Sequence, residues 1–200
     1  MACAKDLVDL NDGIIKLLSP PFDLGADYGY ISAYPKGIRE NGGQYTHAAV
    51  WYLKALLELG EKEDAYRVLK DLNPMYRCTT KAGTTRYKGE PYVLSGDVYA
   101  CEPYIGRAGW SWYTGSAGWL KYVLTEDFFG IKRRGNYLFV VPRFPACFQH
   151  LTAEVMLDKR RITIEYVRGE EAGLFLNEKR IDRLSLPEIE ENITLLCRFV

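Results

Sequence analysis

HAAVWYLKALLELGEKEDAYRVLKDLNP, residues 47–74, carries two helical patterns back to back. From His47 the apolar residues Ala48, Trp51, Tyr52, Ala55, Leu56 and Leu59 recur at the spacing of one helix face, and Gly60 is the residue type that closes a helix in the left-handed conformation. A second period follows at once. Ala65, Val68, Leu69 and Leu72 share a face, and Asn73-Pro74 ends the run because proline disfavours helix in the residue before it. Two helices so closely joined make an αα-hairpin. Tetratricopeptide solenoids are built from such hairpins, but no further copy occurs at the required period, which leaves a layered helical barrel open.

Towards the C-terminus, residues 74–113 are rich in Pro, Gly, Thr and Tyr, and so long a stretch predicts a functional loop system with short strands. A third helix is expected from about Ser116 to Asp127, with Trp119, Leu120, Val123 and Leu124 on its buried side. After Phe129 the period changes to two: Tyr137 to Val141 reads as a strand, and Arg161 to Tyr166 alternates with Ile162, Ile164 and Tyr166 facing one way. Gly135-Asn136 and Asp158-Lys159 are the turns between strands. The expected fold is mixed α and β, with helices and loops over 1–129 and a small antiparallel β unit with solvated charged faces over 130–200.

The bulk properties exclude several classes. With 200 residues and 48% apolar content the chain can bury one sizeable core or two small ones. Basic and acidic residues balance at 26 each, so no global field draws it to nucleic acid or an anionic membrane. MACAKDLVDL at the N-terminus has no signal-length apolar stretch, and a cytoplasmic location is expected. Five cysteines without a CxxC pair or a histidine cluster point to reduced thiols and no metal site. Fifteen Tyr and four Trp gather mostly before position 125, often beside charged residues. Sugar sites favour that mixture, since rings stack on pyranose faces while charged groups bond hydroxyls, and so do ordinary amphipathic cores.

Three segments can carry chemistry. Tyr34 to His47 (YPKGIRENGGQYTH) is a polar, glycine-rich loop running into a helix N-terminus, offering Arg39, Glu40, Asn41, Gln44 and His47 to a ligand. The bland alternative is a capped loop in which Thr46 caps the helix and His47 satisfies a buried partner. Gly106 to Trp119 (GRAGWSWYTGSAGW) places Thr114, Gly115 and Ser116 where a helix begins, so that amides and hydroxyls can hold a phosphate oxygen; the alternative is a capped helix between packed aromatics. It lacks the spacing and lysine of a P-loop. Arg86 to Tyr92 with Asp97-Val98-Tyr99 adds aromatics and carboxylates suited to a sugar groove.

Read in order, Leu18 to Asp23 (LSPPFD), Gly37 to Trp51 (GIRENGGQYTHAAVW), Glu90-Pro91-Tyr92-Val93 and Gly106 to Trp119 resemble the end of glycoside hydrolase family 94, which holds cellobiose and chitobiose phosphorylases and the phosphorylase-like part of cyclic β-1,2-glucan synthases. The resemblance spans about residues 14 to 145. Ser95-Gly96-Asp97-Val98-Tyr99 looks closer to the glucan-synthase and β-1,2-oligoglucan branch. The resemblance implies the C-terminal part of an (α/α)6 barrel followed by a sandwich-like β domain. It also implies inverting phosphorolysis or glycosyl transfer on β-linked glucans, with inorganic phosphate as co-substrate and no cofactor. Phosphate attacks the anomeric carbon while a carboxylic acid protonates the leaving oxygen.

Carried over by position, His47, Thr114, Gly115 and Ser116 would bind phosphate, and Arg39, Glu40, Gln44 and Tyr92 the sugar. No catalytic residue is assigned, because the family's general acid lies in an Asp-Trp-Asn-Asp-Gly type motif expected upstream of this chain. Asp9-Leu10-Asn11-Asp12-Gly13 mimics that motif and is read as coincidence, having Leu for Trp and lying only a few residues before the Pro-Pro-Phe-Asp segment. The expected partners are a β-glucan oligosaccharide, phosphate, and either the missing N-terminal barrel half or further copies of the chain, within a parent enzyme that glucan synthases would place at a membrane. A carbohydrate- or phosphate-binding module without catalysis, or an inactive remnant, is the alternative.

Overall fold

The computed structural model describes residues 2–23, 27–112, 114–189 and 192–200. They form two compact units, residues 1–121 and 122–200.

The first unit begins with a short helix, α1 (Ala2–Lys5), and a hairpin of β1 (Val8–Asp9) and β2 (Ile14–Ile15), with Val8 opposite Ile15. Asp9 to Gly13 is the turn of that hairpin. Asp9 Oδ1 accepts from the backbone N–H groups of Asn11 (3.2 Å) and Asp12 (3.3 Å), and Gly13 takes a φ of 63°. The Asp-Leu-Asn-Asp-Gly string is thus turn chemistry, its first carboxylate bonded to its own backbone.

A second two-residue strand, β3 (Gln44–Tyr45), leads into α2 (Thr46–Glu58), and α3 (Lys62–Leu72) follows. Gly60 closes α2 as expected: at φ 80° its N–H donates to Leu57 O (3.2 Å) while that of Glu61 donates to Leu56 O (3.0 Å), the two bonds of a Schellman motif. The buried face of α2 differs from the expected one. Ala49, Val50, Leu53, Leu56 and Leu57 are buried, whereas Trp51 is 54% and Leu59 60% exposed. The helix is apolar almost all round, so its spacing fits more than one stripe, and packing selects the one through Leu53.

Two further helices, α4 (Pro74–Arg77) and α5 (Lys81–Tyr87), occupy part of the stretch expected as loops and short strands. Each is capped by a side chain: Asn73 Oδ1 accepts from Met75 N–H and Thr80 Oγ1 from Gly83 N–H, both at 3.0 Å. Arg77 ties this region to the first hairpin, donating from Nε to Asp71 O (2.7 Å) and from Nη2 to Gly13 O. The strand β4 (Asp97–Val98) then pairs antiparallel with β3, Tyr45 facing Asp97 and Gln44 facing Val98. Val98 packs with Ile14, Tyr87 and Ala108 in a small core beneath the pair.

The expected third helix is α6 (Ser116–Tyr122) continued by a π-helical turn over Val123–Phe128. Val123 is buried as the pattern requires and Leu120 and Leu124 are half-buried, but Trp119 is exposed. Its ring meets Trp51 edge-on at 5.9 Å instead of entering a core.

In the second unit, β5 (Ile131–Arg134) and β6 (Tyr137–Val140) turn at Gly135, and β11 (Leu184–Ser185) pairs on the far side of β6. A five-stranded sheet runs in the order β10 (Lys179–Ile181), β9 (Gly173–Leu176), β12 (Ile193–Phe199), β8 (Arg160–Arg168), β7 (His150–Leu157). Asp158 and Lys159 turn from β7 to β8 with φ of 49° and 67°, the handedness a two-residue hairpin loop requires. Ile162, Ile164 and Tyr166 are buried as their alternation predicts. The unit is not wholly antiparallel, because β12 pairs parallel to β8, Leu195 opposite Ile164. Residues 169–192, which include the β9–β10 hairpin and β11, supply the long crossover that a parallel pair needs. The chain is therefore mixed α and β. Among the described residues no helix is long and apolar enough to cross a membrane.

Candidate functional site

The segment Gly37 to Gly43 is a tight turn held from inside by Asn41. That side chain is fully buried; its Oδ1 accepts from Phe22 N–H (2.7 Å) and its Nδ2 donates to Phe22 O (3.1 Å) and Tyr34 O (2.8 Å). Gly43 is obligatory here, since a Cβ would lie 2.9 Å from both the N and the O of Arg39. The turn carries Arg39 and Glu40, both half-buried. Arg39 donates to Tyr34 Oη (3.4 Å), and its guanidinium lies over the rings of Tyr34 and Trp110, 5.3 and 5.2 Å from their centroids.

His47 comes from the first turn of α2. Thr46 does not cap that helix: it is the first helical residue, Tyr45 holds the cap position without a side-chain bond, and Thr46 N–H donates to Gly96 O (3.0 Å). The His47 ring sits among aromatics, edge-to-face with Trp51 at 5.0 Å and tilted to Trp119 at 6.0 Å. Thr114 and Gly115 arrive from the segment before α6. Thr114 Oγ1 accepts from Ser116 N–H (3.2 Å) and lies 2.6 Å from Ser116 Oγ. Tyr113, within the same motif, lies outside the described residues, as does the side chain of Cys3.

Arg39, Glu40, His47, Thr114 and Gly115 line one cavity of about 250 Å³, completed by Tyr45, Gly96, Asp97 and Trp110. Its polar groups are in part unsatisfied. Glu40 Oε2, His47 Nε2 and Asp97 Oδ2 are buried and have no hydrogen-bond partner among the described residues, a condition that costs free energy unless a ligand completes them. Gly115 has nothing within 4 Å of where a Cβ would stand, so its backbone is open to the cavity.

Three nominated residues stand apart from that lining. Gln44 is buried and its Oε1 accepts from Ile15 N–H (3.1 Å), joining β3 to the first hairpin, so its side chain is already used. Ser116 is buried behind Thr114. Tyr92 is 77% exposed, near Glu90, which accepts from Trp112 Nε1 (3.0 Å). From the same third segment, Arg86 pairs with Asp12 and Tyr87 Oη donates to Ser95 Oγ (3.2 Å) in the interior.

Asp97, from the third of the sequence segments, also lines the cavity. Burial pushes its carboxyl above the usual carboxylate range, with Glu40 pushing the same way and the Trp110 N–H and the Arg39 charge pulling against them. Among the described residues, no group of three or more His, Cys, Asp or Glu is placed to hold a metal ion, and Cys78, Cys101, Cys147 and Cys197 are free thiols. Acceptor carboxylates, an imidazole, a guanidinium and an open helix-entry backbone suit a ligand that carries both hydroxyls and an anionic group.

The family model of the glycosyl hydrolase 94 superfamily catalytic domain matches residues 1–130. The chain belongs to this superfamily. Among curated relatives, the family member cyclic β-(1,2)-glucan synthase NdvB of Rhizobium meliloti is 40% identical over 173 residues, 86% of this chain and 6% of that protein. The N,N'-diacetylchitobiose phosphorylase of Vibrio furnissii is 26% identical over 165 residues, 80% of this chain and 20% of that protein. The 1,2-β-oligoglucan phosphorylase of Listeria innocua is 24% identical over 156 residues, 71% of this chain and 14% of that protein. The chain thus spans a fifth or less of these relatives.

Proposed function

We propose that this chain forms the phosphate-facing wall and part of the sugar cleft of an inverting glycoside phosphorylase or glycosyl-transferring relative, acting on β-linked glucans, with β-1,2-glucan the leading substrate. Residues 1–129 are the last helices and loops of an (α/α)6 barrel and residues 130–200 its C-terminal β domain, in a cytoplasmic segment of a larger enzyme. Inorganic phosphate is co-substrate and no cofactor takes part. A phosphate oxygen bonds to the anomeric carbon as the glycosidic C–O bond breaks, a carboxylic acid outside these 200 residues protonates the leaving oxygen, and a sugar 1-phosphate of inverted configuration results. His47 Nε2, Thr114 Oγ1 and the Gly115 backbone meet phosphate, with Ser116 supporting Thr114; Arg39 and Glu40 shape the sugar side.

The observation that carries this reading is the gathering of those residues around one cavity with His47 Nε2 and Glu40 Oε2 unsatisfied. The similarity to a cyclic β-(1,2)-glucan synthase and a 1,2-β-oligoglucan phosphorylase supports the choice of linkage. Titration of the chain with inorganic phosphate tests it. Saturable binding that His47→Ala weakens tenfold or more is expected, since a charge-assisted hydrogen bond is worth about that factor. A folded chain that ignores phosphate, or an alanine variant that binds it equally well, would overturn the assignment. Release of glucose 1-phosphate from β-1,2-linked oligomers by the chain alone would place the acid within it.

A further inference from the structure

Asp97 is 2% exposed and held on three sides. Its backbone is fixed by the β3–β4 pair, opposite Tyr45 and so two residues from His47. Its Oδ1 accepts the Trp110 N–H at 2.7 Å, while its own carbonyl accepts from Gly109 N–H at 3.0 Å. Gly109 itself leaves room for nothing else, because a Cβ there would fall on the Asp97 carboxylate. The fold thus presses a backbone strand against one edge of this carboxylate and leaves Oδ2 buried, unpartnered among the described residues, at the wall of the cavity. Nearby Arg39 makes no hydrogen bond to that oxygen; its guanidinium donates to Tyr34 Oη and lies over the Tyr34 and Trp110 rings.

The chemistry of the missing partner follows from the neighbours. Oδ2 is an acceptor, and Glu40 Oε2, on the same cavity, is a second orphan acceptor. Two carboxylates repel an anion, so this part of the wall calls for neutral donors, and paired acceptors in a small cavity match the hydroxyls of a sugar ring. In the function proposed above, the anion falls to His47, Thr114 and Gly115 of the same lining. We infer that Asp97 Oδ2 accepts a hydrogen bond from a sugar hydroxyl and, with Glu40, orients the glycosyl ring in the cavity, and that Gly109 is the residue that makes room for it. This rests on the phosphorylase reading above and adds to it the group that distinguishes the sugar from the phosphate. The raised affinity of Asp97 for its proton fits the same picture, since a hydroxyl donor restores the solvation that burial removed.

The test is calorimetric titration of the 200-residue chain, and of Asp97→Asn and Gly109→Ala, with two probes: the β-1,2-linked glucose disaccharide and inorganic phosphate. Asparagine keeps the Trp110 contact and the shape while replacing the orphan acceptor with an amide. Asp97→Asn should weaken the disaccharide tenfold or more, the worth of a hydrogen bond to a charged group, and leave phosphate binding within threefold. Gly109→Ala, which displaces the carboxylate, should reproduce that selective loss. Unchanged disaccharide affinity in Asp97→Asn overturns the inference, as does parallel loss of both ligands with a lowered melting temperature, the mark of a purely structural carboxylate. If the parent chain binds phosphate in a His47-dependent way but not the disaccharide, the inference fails and the phosphorylase reading stands; if it binds neither while folded, both fail.

Discussion

Replacing Asn41 with alanine is the most direct test of how the cavity is positioned, because one side chain holds the turn that carries Arg39 and Glu40. The substitution removes three hydrogen bonds, to Phe22 N–H, Phe22 O and Tyr34 O, from a residue with no solvent exposure. At about 1 kcal/mol for each bond, the expected loss is about 3 kcal/mol, and more if water does not reach the abandoned groups. With a urea m-value of about 2 kcal/mol/M, the unfolding midpoint should fall by about 1.5 M. Tryptophan fluorescence is the right observable, since Trp51, Trp110, Trp112 and Trp119 all lie in residues 1–121 and report the first unit alone. Asn41→Asp keeps the acceptor for Phe22 N–H but sets a carboxylate against two carbonyls, so it should be at least as damaging. A midpoint shift below about 0.3 M at unchanged m for the alanine variant would refute the argument. The turn would then be held by its backbone bonds, Gly37 N–H to Asn41 O (2.7 Å) and Gly43 N–H to Arg39 O (3.1 Å).

Leu53→Ala should cost about 3 kcal/mol as a buried cavity mutation, and Leu59→Ala less than about 0.5 kcal/mol; the reverse order in denaturant titrations would move the buried stripe of α2 to its other side. Gly130→Ala should destabilise the second unit by about 2 kcal/mol or more, because φ is 70° and the Val141 carbonyl occupies the place of a Cβ; a far-ultraviolet melt displaced by less than a degree would contradict this. Asp97 has a raised folded pKa, so it favours the folded state fully only below its unfolded pKa, and that contribution is lost as pH rises through the folded value. Asp97→Asn removes the penalty of an ionised buried carboxyl, so the melting temperature of the variant relative to the parent should rise between pH 4 and pH 7; a difference that falls over this range would invert the sign.

The sequence announces elements wherever local chemistry decides the outcome. Gly60 and Asn73-Pro74 bound their helices because the Schellman closure and the residue before proline are local constraints, and Ile162, Ile164 and Tyr166 alternate because a strand with one buried face has no other choice. The helices α4 and α5 escape notice because Lys81 to Tyr87 is rich in Thr and Gly, and it is Thr80 capping Gly83 and the burial of Tyr87 that stabilise it. Of the cavity, His47, Arg39, Glu40, Thr114 and Gly115 are legible from motif resemblance. Asp97 is legible in the sequence as one carboxylate of the third segment, but its setting is visible only in space, since Gly109 and Trp110 come back to it from a dozen residues away. Gln44 misleads for the same reason: nothing local says that its amide will meet Ile15 N–H.

The parallel pair in the second unit bears on how the polypeptide is made. Of the five strands in that sheet, β12 is the latest to leave the ribosome, yet it lies between β9 and β8 at the centre. Until it emerges, β7–β8 and β9–β10 are two separate hairpins that bond to nothing in common, and β8 and β9 each keep open the edge that β12 will fill, so Ile162, Ile164 and Leu174 have a strand on one side only. Assembly of the sheet is therefore withheld until synthesis has passed Phe199, and the hairpins must stay apart from neighbouring nascent chains for that interval. A premature stop codon between Ile181 and Ile193 keeps both hairpins but removes the one strand that joins them, leaving a product with two open edges, a natural client for chaperones and proteases.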